Sequence, residues 1–218
     1  MRPVLIISFF FFALLDLSQV YVDGGLRFLT KPMIMISLIC YFCYETIDRL
    51  NGERSQQIFL VALIAALVGD VLLLFENLFM IGLLAFLVMQ ILYSLSFLQT
   101  YKPRKSTNVF RIFLIILCLF VLYNLWPFLE HLQIPVTIYV FAIAAMAYSA
   151  FSRVHNIKGY KMVFIGTIFF LISDTALAIG QFMNEINIGK LTVMSSYALA
   201  QFLIVEGWLQ QYRTNTNG

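Results

Sequence analysis

The sequence has very few charged residues. Asp, Glu, Lys and Arg make up 11% of its 218 residues, whereas about a quarter of a soluble domain is charged. So few charges cannot cover a surface that faces water, which excludes an ordinary soluble globular protein. The hydrophobic fraction of 61% and the mean hydropathy of +0.90 indicate lipid as the solvent instead. Since a membrane helix needs about 20 apolar residues, we expect about eight crossings and no separate soluble domain.

Histidine, cysteine and the common catalytic motifs are also scarce. The only histidines, His131 and His155, lie in predicted loops on opposite sides of the membrane, which excludes a zinc hydrolase and a Ser-His-Asp triad within the membrane. No GxSxG elbow and no P-loop occur. Cys40 and Cys43 form a CxxC inside a predicted membrane helix, without a second ligand pair, and are expected to act as small apolar side chains. Carboxylate chemistry remains, with no metal and no cofactor.

Apolar runs separated by polar breaks predict an all-α, polytopic membrane helix bundle. The N-terminal run is long, contains Asp16 and is followed by no cleavage site, so we interpret it as the first membrane helix rather than a signal peptide. We expect one transmembrane domain over residues 1–213 and a disordered tail over 214–218. The eight predicted helices cover residues 3–22, 31–47, 56–76, 78–98, 109–129, 135–152, 160–181 and 190–211.

The basic residues are distributed unequally between the two sides of the membrane. All but three of the 14 Lys and Arg residues fall on the side of the termini, the exceptions being Arg27, Lys31 and Lys190. The positive-inside rule therefore predicts that both termini face the cytoplasm. The small single-domain chain leads us to expect a bacterial inner membrane. Because the basic residues flank apolar segments, the net charge of +3 does not indicate a nucleic-acid partner.

The spacing of polar residues suggests an internal repeat. Asp70 and Asp174 lie 104 residues apart, in the third and seventh predicted helices. Seven residues after each aspartate comes an amide, Asn77 after Asp70 and Gln181 after Asp174. Twenty-three residues after each comes a tyrosine, Tyr93 and Tyr197 respectively. With an even number of helices in each half, this pattern suggests a parallel four-plus-four repeat, although coincidence remains an alternative.

Three aspartates are expected at one depth inside the membrane. A carboxylate at mid-membrane costs about 2.5–3.5 kcal/mol or more, so such residues persist where they face a cavity or a partner. Asp16, Asp70 and Asp174 each lie well inside a helix that runs outward. Their similar depth suggests one polar cavity.

Other polar residues extend the helix faces that carry these acids. Thr167, Asp174 and Gln181 are spaced by two helical turns, and Asp70 and Asn77 repeat that spacing. These residues, and the pairs Gln90 and Tyr93 and Tyr197 and Gln201, could line a substrate site, but polar side chains also hold membrane helices together.

Two stretches of the sequence resemble the YhhN-type lysoplasmalogenase family. Gly69-Asp70 is followed by Leu72-Leu73, and a Leu-Tyr pair ends at Tyr93. Later, Ser173-Asp174 precedes Leu177-Ala178, and Tyr197 begins a Tyr-x-x-Ala-Gln-x-Leu-Ile segment. Lys31-Pro32 resembles the Lys-Pro of the family. Gln90 departs from the pattern, which has a histidine before the Leu-Tyr pair.

This resemblance implies an eight-helix membrane enzyme that hydrolyses the vinyl ether bond of lysoplasmalogens. Its products are a fatty aldehyde and glycerophosphoethanolamine or glycerophosphocholine. By carry-over, Asp70 and Asp174 are the catalytic residues. Substrate-binding residues are expected at Tyr93, Tyr197 and Gln201, with Gln90, Asn77 and Lys31 as further candidates. Lys31, near the outer interface, could meet the lipid phosphate or anchor the end of its helix. The expected partners are a lysophospholipid substrate and membrane lipid.

Vinyl ether hydrolysis suits a pair of carboxyl groups. It begins when an acid protonates the alkenyl carbon, which forms an oxocarbenium ion that water attacks, much as in paired-carboxylate glycosidases. The acid must stay protonated near neutral pH, which burial favours. Three alternatives stay open: a proton-coupled transporter or flippase, a lysophospholipase that cleaves esters on the same scaffold, and a lipid-binding protein without catalysis.

Overall fold

The computed structural model describes residues 1–20, 22, 25–47, 54–102, 104–183 and 186–213, most of which are helical. In these residues there are eight α-helices, no β-strand and one isolated bridge between Tyr101 and Arg153. The all-α prediction is confirmed, while the predicted tail over 214–218 lies outside the described residues. The helices are α1 (Arg2–Ser18), α2 (Arg27–Thr46), α3 (Arg54–Leu72), α4 (Phe79–Leu98), α5 (Lys105–Leu125), α6 (Gln133–Phe151), α7 (Tyr160–Phe182) and α8 (Ile186–Arg213), with 3-10 helices at Glu76–Leu78, Trp126–Phe128 and Glu130–Leu132.

Helices α2 to α7 are each long and apolar enough to span a membrane, and they are the six such helices in the described chain. The chain is therefore a multi-pass membrane protein. α1 has 17 residues, somewhat fewer than the roughly 20 that a perpendicular crossing takes. α8 has 28 residues, but polar side chains interrupt it along its length. The crossing of the membrane by these two helices stays a prediction.

The chain divides into two compact units, Met1–Ser96 and Phe97–Gly218. In the first unit α2 packs against both α1 and α3. The ring of Tyr93 in α4 lies 4.9 Å from the ring of Phe59 in α3, and Phe59 stacks on Phe42 of α2. The boundary between the units falls at the end of α4, where a four-plus-four repeat would divide the chain. The repeat itself and the single transmembrane domain over 1–213 stay predictions.

The second unit contains a closely packed helix pair, α7 and α8. A Cβ atom on Gly166 of α7 would lie 2.8 Å from the side chain of Ile204 and 3.0 Å from the carbonyl oxygen of Ala200, both in α8. A Cβ atom on Gly207 would lie 2.8 Å from the carbonyl oxygen of Gly159. Small residues let membrane helices approach this closely. α7 also packs against α6, and α6 against α5.

The third helix ends earlier than its hydropathy predicts. We expected a helix over 56–76, but α3 ends at Leu72. The amides of Leu74 and Phe75 donate to carbonyl oxygens three residues earlier, so the backbone tightens and leaves the α-helix. Asn77 lies beyond this point, exposed in a 3-10 helix. The prediction that Asn77 continues the α3 face of Asp70 was wrong.

Candidate functional site

In the first unit, Asp16 is held by two side chains from the start of α2. Asp16 is fully buried near the end of α1. The hydroxyl of Thr30 donates to its Oδ1 at 2.7 Å, and an Nη atom of Arg27 lies 3.6 Å from its Oδ2. A buried carboxylate persists when it is both paired and hydrogen-bonded. This carboxylate therefore has its counter-charge on the neighbouring helix.

Asp70 forms a second buried ion pair in the same unit. Its Oδ1 lies 3.6 Å from the ammonium nitrogen of Lys31, and both side chains are at least nine-tenths buried. Lys31, which we predicted to contact the lipid phosphate, thus contacts a predicted catalytic residue. Because Thr30 and Lys31 are consecutive in α2, their partners Asp16 and Asp70 lie at one level of the unit. We call Asp16, Arg27, Thr30, Lys31 and Asp70 the α2 charge ladder.

Gln90 and Tyr93 lie further along α4 from the level of Asp70. The neighbour of Asp70 in sequence, Gly69, faces the ring of Phe86: a Cβ atom there would lie 2.8 Å from it. Gln90 and Tyr93 follow Phe86 by four and seven residues, which corresponds to about 6 and 10 Å along the helix axis. Both are completely buried. They belong to the interior of the unit, at a different height from the α2 charge ladder.

In the second unit, Asp174 is bound by a tyrosine that sequence reasoning missed. The hydroxyl of Tyr139 in α6 donates to Oδ2 of Asp174 in α7, with an oxygen–oxygen distance of 2.5 Å. Tyr139 is buried and Asp174 is partly buried. Next to Asp174, the hydroxyl of Ser173 donates to the carbonyl oxygen of Val193 and ties α7 to α8. α6 and α8 therefore fix the turn that carries Asp174 from two sides.

Tyr197 and Gln201 lie together on α8, close to this turn. The side-chain amide of Gln201 donates to the hydroxyl of Tyr197 at 3.4 Å, and both residues are buried. The ring of Tyr197 meets the ring of Phe170 edge-on at 5.7 Å, and Phe170 lies one turn before Asp174. We call Tyr139, Asp174, Tyr197 and Gln201 the Asp174 cluster. Gln181, at the far end of the same α7 face, is exposed.

A groove of about 910 Å³ lies elsewhere in the second unit, between the end of α5 and the start of α6. Its lining residues are Leu119, Leu122, Tyr123, Asn124, Trp126, Pro127, Thr137 and Phe141, and none of the predicted site residues is among them. In the described chain, no three His, Cys, Asp or Glu side chains are grouped as metal ligands would be.

The residues missed by sequence reasoning are Arg27, Thr30 and Tyr139. Each contacts an acid that was predicted, and each comes from the helix adjacent to that acid in the chain. Helix packing could have found them, because two antiparallel helices joined by a short loop bring residues equally far from the loop to the same height.

Comparison with known proteins identifies the family of the chain. The sequence profile of the YhhN family matches residues 26–208. The chain belongs to the YhhN family. The matched range includes both the Asp70–Lys31 pair and the Asp174 cluster. This YhhN-family chain is also 31% identical over 179 residues to a lysoplasmalogenase of Sus scrofa, TMEM86B, an alignment that covers 81% of the chain and 72% of the relative. No solved structure matches it. The predicted family is confirmed.

Proposed function

We propose that this chain hydrolyses the vinyl ether bond of lysoplasmalogens, releasing a fatty aldehyde and glycerophosphoethanolamine or glycerophosphocholine. One observation carries the proposal: Asp70 and Asp174 lie within the matched range of a family that includes a lysoplasmalogenase, and each contacts a side chain of the preceding helix. Lys31 forms an ion pair with Asp70, and Tyr139 donates a hydrogen bond to Asp174. The proposal includes the predicted orientation, with both termini in the cytoplasm of a bacterial cell.

The proposed reaction needs a proton donor and a stabilised cation. A carboxylic acid gives its proton to the alkenyl carbon that is not bonded to oxygen, and the remaining carbon becomes an oxocarbenium ion. Water adds to this ion and loses a proton to a carboxylate. The product of this addition is a hemiacetal. The hemiacetal then breaks its bond to the glycerol oxygen, so the aldehyde leaves and the glycerol hydroxyl is restored. General acid catalysis of this kind contributes about 10²–10⁴-fold.

The two aspartates have different partners, which supports different roles. Asp70 faces the ammonium of Lys31, and a neighbouring cation favours a carboxylate. In this proposal Asp70 remains ionised, stabilises the oxocarbenium ion and accepts the proton of the attacking water. The partner of Asp174 is a neutral phenol, Tyr139, which can remain hydrogen-bonded to the carboxyl group before and after proton transfer. Asp174 is therefore the proposed acid.

Aldehyde release by purified protein tests the function. We expect the parent chain to release aldehyde from lysoplasmenyl-ethanolamine, and to cleave neither its saturated alkyl ether nor its acyl ester analogue. The saturated ether has no double bond to protonate, so it serves as the control for acid catalysis. Cleavage of the ester instead would assign a lysophospholipase. No turnover of any of the three lipids by folded protein would contradict hydrolysis and favour transport or lipid binding.

Tyr139→Phe is expected to lower kcat for aldehyde release by about tenfold with little change in KM. The phenol orients the Asp174 carboxyl group and stabilises the carboxylate that forms as the proton leaves, and one hydrogen bond to a charged group contributes about 1.5 kcal/mol or more. Tyr148→Phe is the matched control. Tyr148 lies on the same helix, and its hydroxyl pairs with Tyr101 at an exposed position. Equal loss in both variants, or a loss that appears only in KM, would argue against this role for Tyr139.

A further inference from the structure

The exposed cation of the α2 charge ladder is Arg27, one helical turn before Lys31. About a quarter of the Arg27 side chain is exposed, against less than a tenth of the Lys31 side chain. Arg27 is the first residue of α2, so it lies where the apolar span begins. Lys31 is directed at Asp70, which leaves Arg27 as the ladder's cation with a surface that a ligand can reach.

The contacts of Arg27 use part of its donor capacity. A guanidinium group has five N–H donors in a planar fork. One Nη atom of Arg27 lies 3.6 Å from Oδ2 of Asp16. The Nε atom is buried and makes no hydrogen bond within the described residues, so the exposed part of the side chain lies elsewhere. Asp16 is also the acceptor of Thr30, so the carboxylate is itself fixed and attracts one side of the guanidinium as an ion pair. A fork fixed in this way is suited to a second anion, and its geometry matches carboxylate and phosphate groups with two parallel hydrogen bonds. Of these two anions, a lysophospholipid carries the phosphate.

The distance along α2 matches the structure of the proposed substrate. Arg27 and Lys31 are four residues apart, which is about 6 Å along the helix axis. In a lysoplasmalogen, the glycerol carbons that separate the phosphate from the vinyl ether oxygen cover a similar length. A phosphate bound at the level of Arg27 would therefore place the vinyl ether at the level of the Lys31–Asp70 pair. The positive end of the α2 dipole lies on the same side and also favours an anion.

We propose that Arg27, oriented by Asp16, binds the headgroup phosphate of a single-chain phospholipid and thereby sets the height of its ether bond. This inference rests on the proposed function for the identity of the lipid, but the binding step is separate from the reaction. It makes Asp16 a positioning residue with no part in proton transfer. It also assigns substrate selection to the phosphate rather than to the ethanolamine or choline group.

The test is lipid binding to the full chain in a maltoside detergent. The probes are a saturated alkyl lysophosphocholine, the matching alkyl glycerol without phosphate, and inorganic phosphate. We expect the parent to bind the lysophosphocholine at least tenfold more tightly than the alkyl glycerol. Arg27→Gln should remove this preference and leave the affinity for the alkyl glycerol unchanged. Displacement of the lysophosphocholine by millimolar inorganic phosphate would instead assign a site for free phosphate and overturn a headgroup site.

The chain provides a matched control for charge and one for folding. Arg2 pairs with Glu45 at the opposite end of the α1–α2 pair, also at 3.6 Å, so Arg2→Gln should keep the phosphate preference. Because Arg27→Gln leaves the Asp16 carboxylate buried without its cation, the double variant Asp16→Asn/Arg27→Gln removes both charges and should show the same loss in a folded protein. An unchanged preference in the double variant, or an equal loss in Arg2→Gln, overturns the inference.

Aldehyde release separates this inference from the proposed function. If the parent chain prefers the lysophosphocholine but releases no aldehyde, the Arg27 site is supported and the proposed hydrolase activity is overturned. If the parent chain releases aldehyde and the Arg27 variants have the parental KM, the proposed hydrolase activity is supported and the Arg27 site is overturned. With both proposals correct, Arg27→Gln raises KM for the lysoplasmalogen at least tenfold and lowers kcat by a smaller factor.

Discussion

Asp174→Asn is expected to reduce kcat for aldehyde release by about 10²–10⁴-fold, the usual contribution of general acid catalysis, while KM stays within a factor of about three. The amide has the size of the carboxyl group and keeps a polar contact with Tyr139, but it cannot donate a proton to carbon. Steady-state kinetics with lysoplasmenyl-ethanolamine measures both constants, and thermal unfolding in detergent confirms that the variant is folded.

Thr175→Val is the matched control for this variant. Thr175 is the next residue in α7, and its hydroxyl donates to the carbonyl oxygen of Leu171 within the same helix. Its replacement changes the polarity of the turn without changing an acid, so kcat should remain near that of the parent. If Asp174→Asn retained more than a tenth of the parental kcat, Asp174 would not be the acid, and Asp70 would become the candidate.

Lys31→Gln is expected to destabilise the protein by about 3–5 kcal/mol, because breaking a buried ion pair leaves a charge without its partner. Here the remaining charge is the carboxylate of Asp70, which is 2% exposed. The measurement is thermal or denaturant unfolding in detergent. Lys161→Gln, at an exposed position near the start of α7, should change stability by less than about 0.5 kcal/mol.

The double variant Lys31→Gln/Asp70→Asn separates stability from activity. With both charges removed, two neutral amides replace the ion pair, so most of the lost stability should return. Aldehyde release should remain absent, because the proposed mechanism needs the carboxylate of Asp70. Recovery of aldehyde release together with stability would show that Asp70 serves only to hold α2 and α3 together.

The sequence predicts the helices and the height of the residues that contact each buried aspartate. The hydropathy runs predict all eight helices, and the cost of burying a carboxylate singles out Asp16, Asp70 and Asp174. Hairpin register adds the height of their partners: Asp16 and Thr30 are equally far from position 23, and Tyr139 and Asp174 are equally far from the loop near Asn156. The structure places both pairs in contact.

The sequence does not determine how each helix is rotated about its own axis, and so which of its faces meets the neighbouring helices. A soluble helix shows its buried face as a stripe of apolar residues, but a membrane helix is apolar on all sides. Register therefore predicts the height of the partner of Asp174 without selecting Tyr139 over its neighbours in α6. The early end of α3 was missed for a similar reason, since Leu73, Leu74 and Phe75 are as apolar as the helix before them and only the backbone leaves the helical path.

The glycine contacts between α7 and α8 restrict how this protein can diversify. At Gly166 and Gly207 even one additional carbon atom meets the opposite helix, so any larger residue there must push the two helices apart and move Asp174 and Tyr197 with them. The groove along α5 and α6 has room for side chains of other sizes. Sequence changes that keep the protein folded should therefore accumulate along the α5–α6 groove, and the glycines of α7 and α8 should stay unchanged.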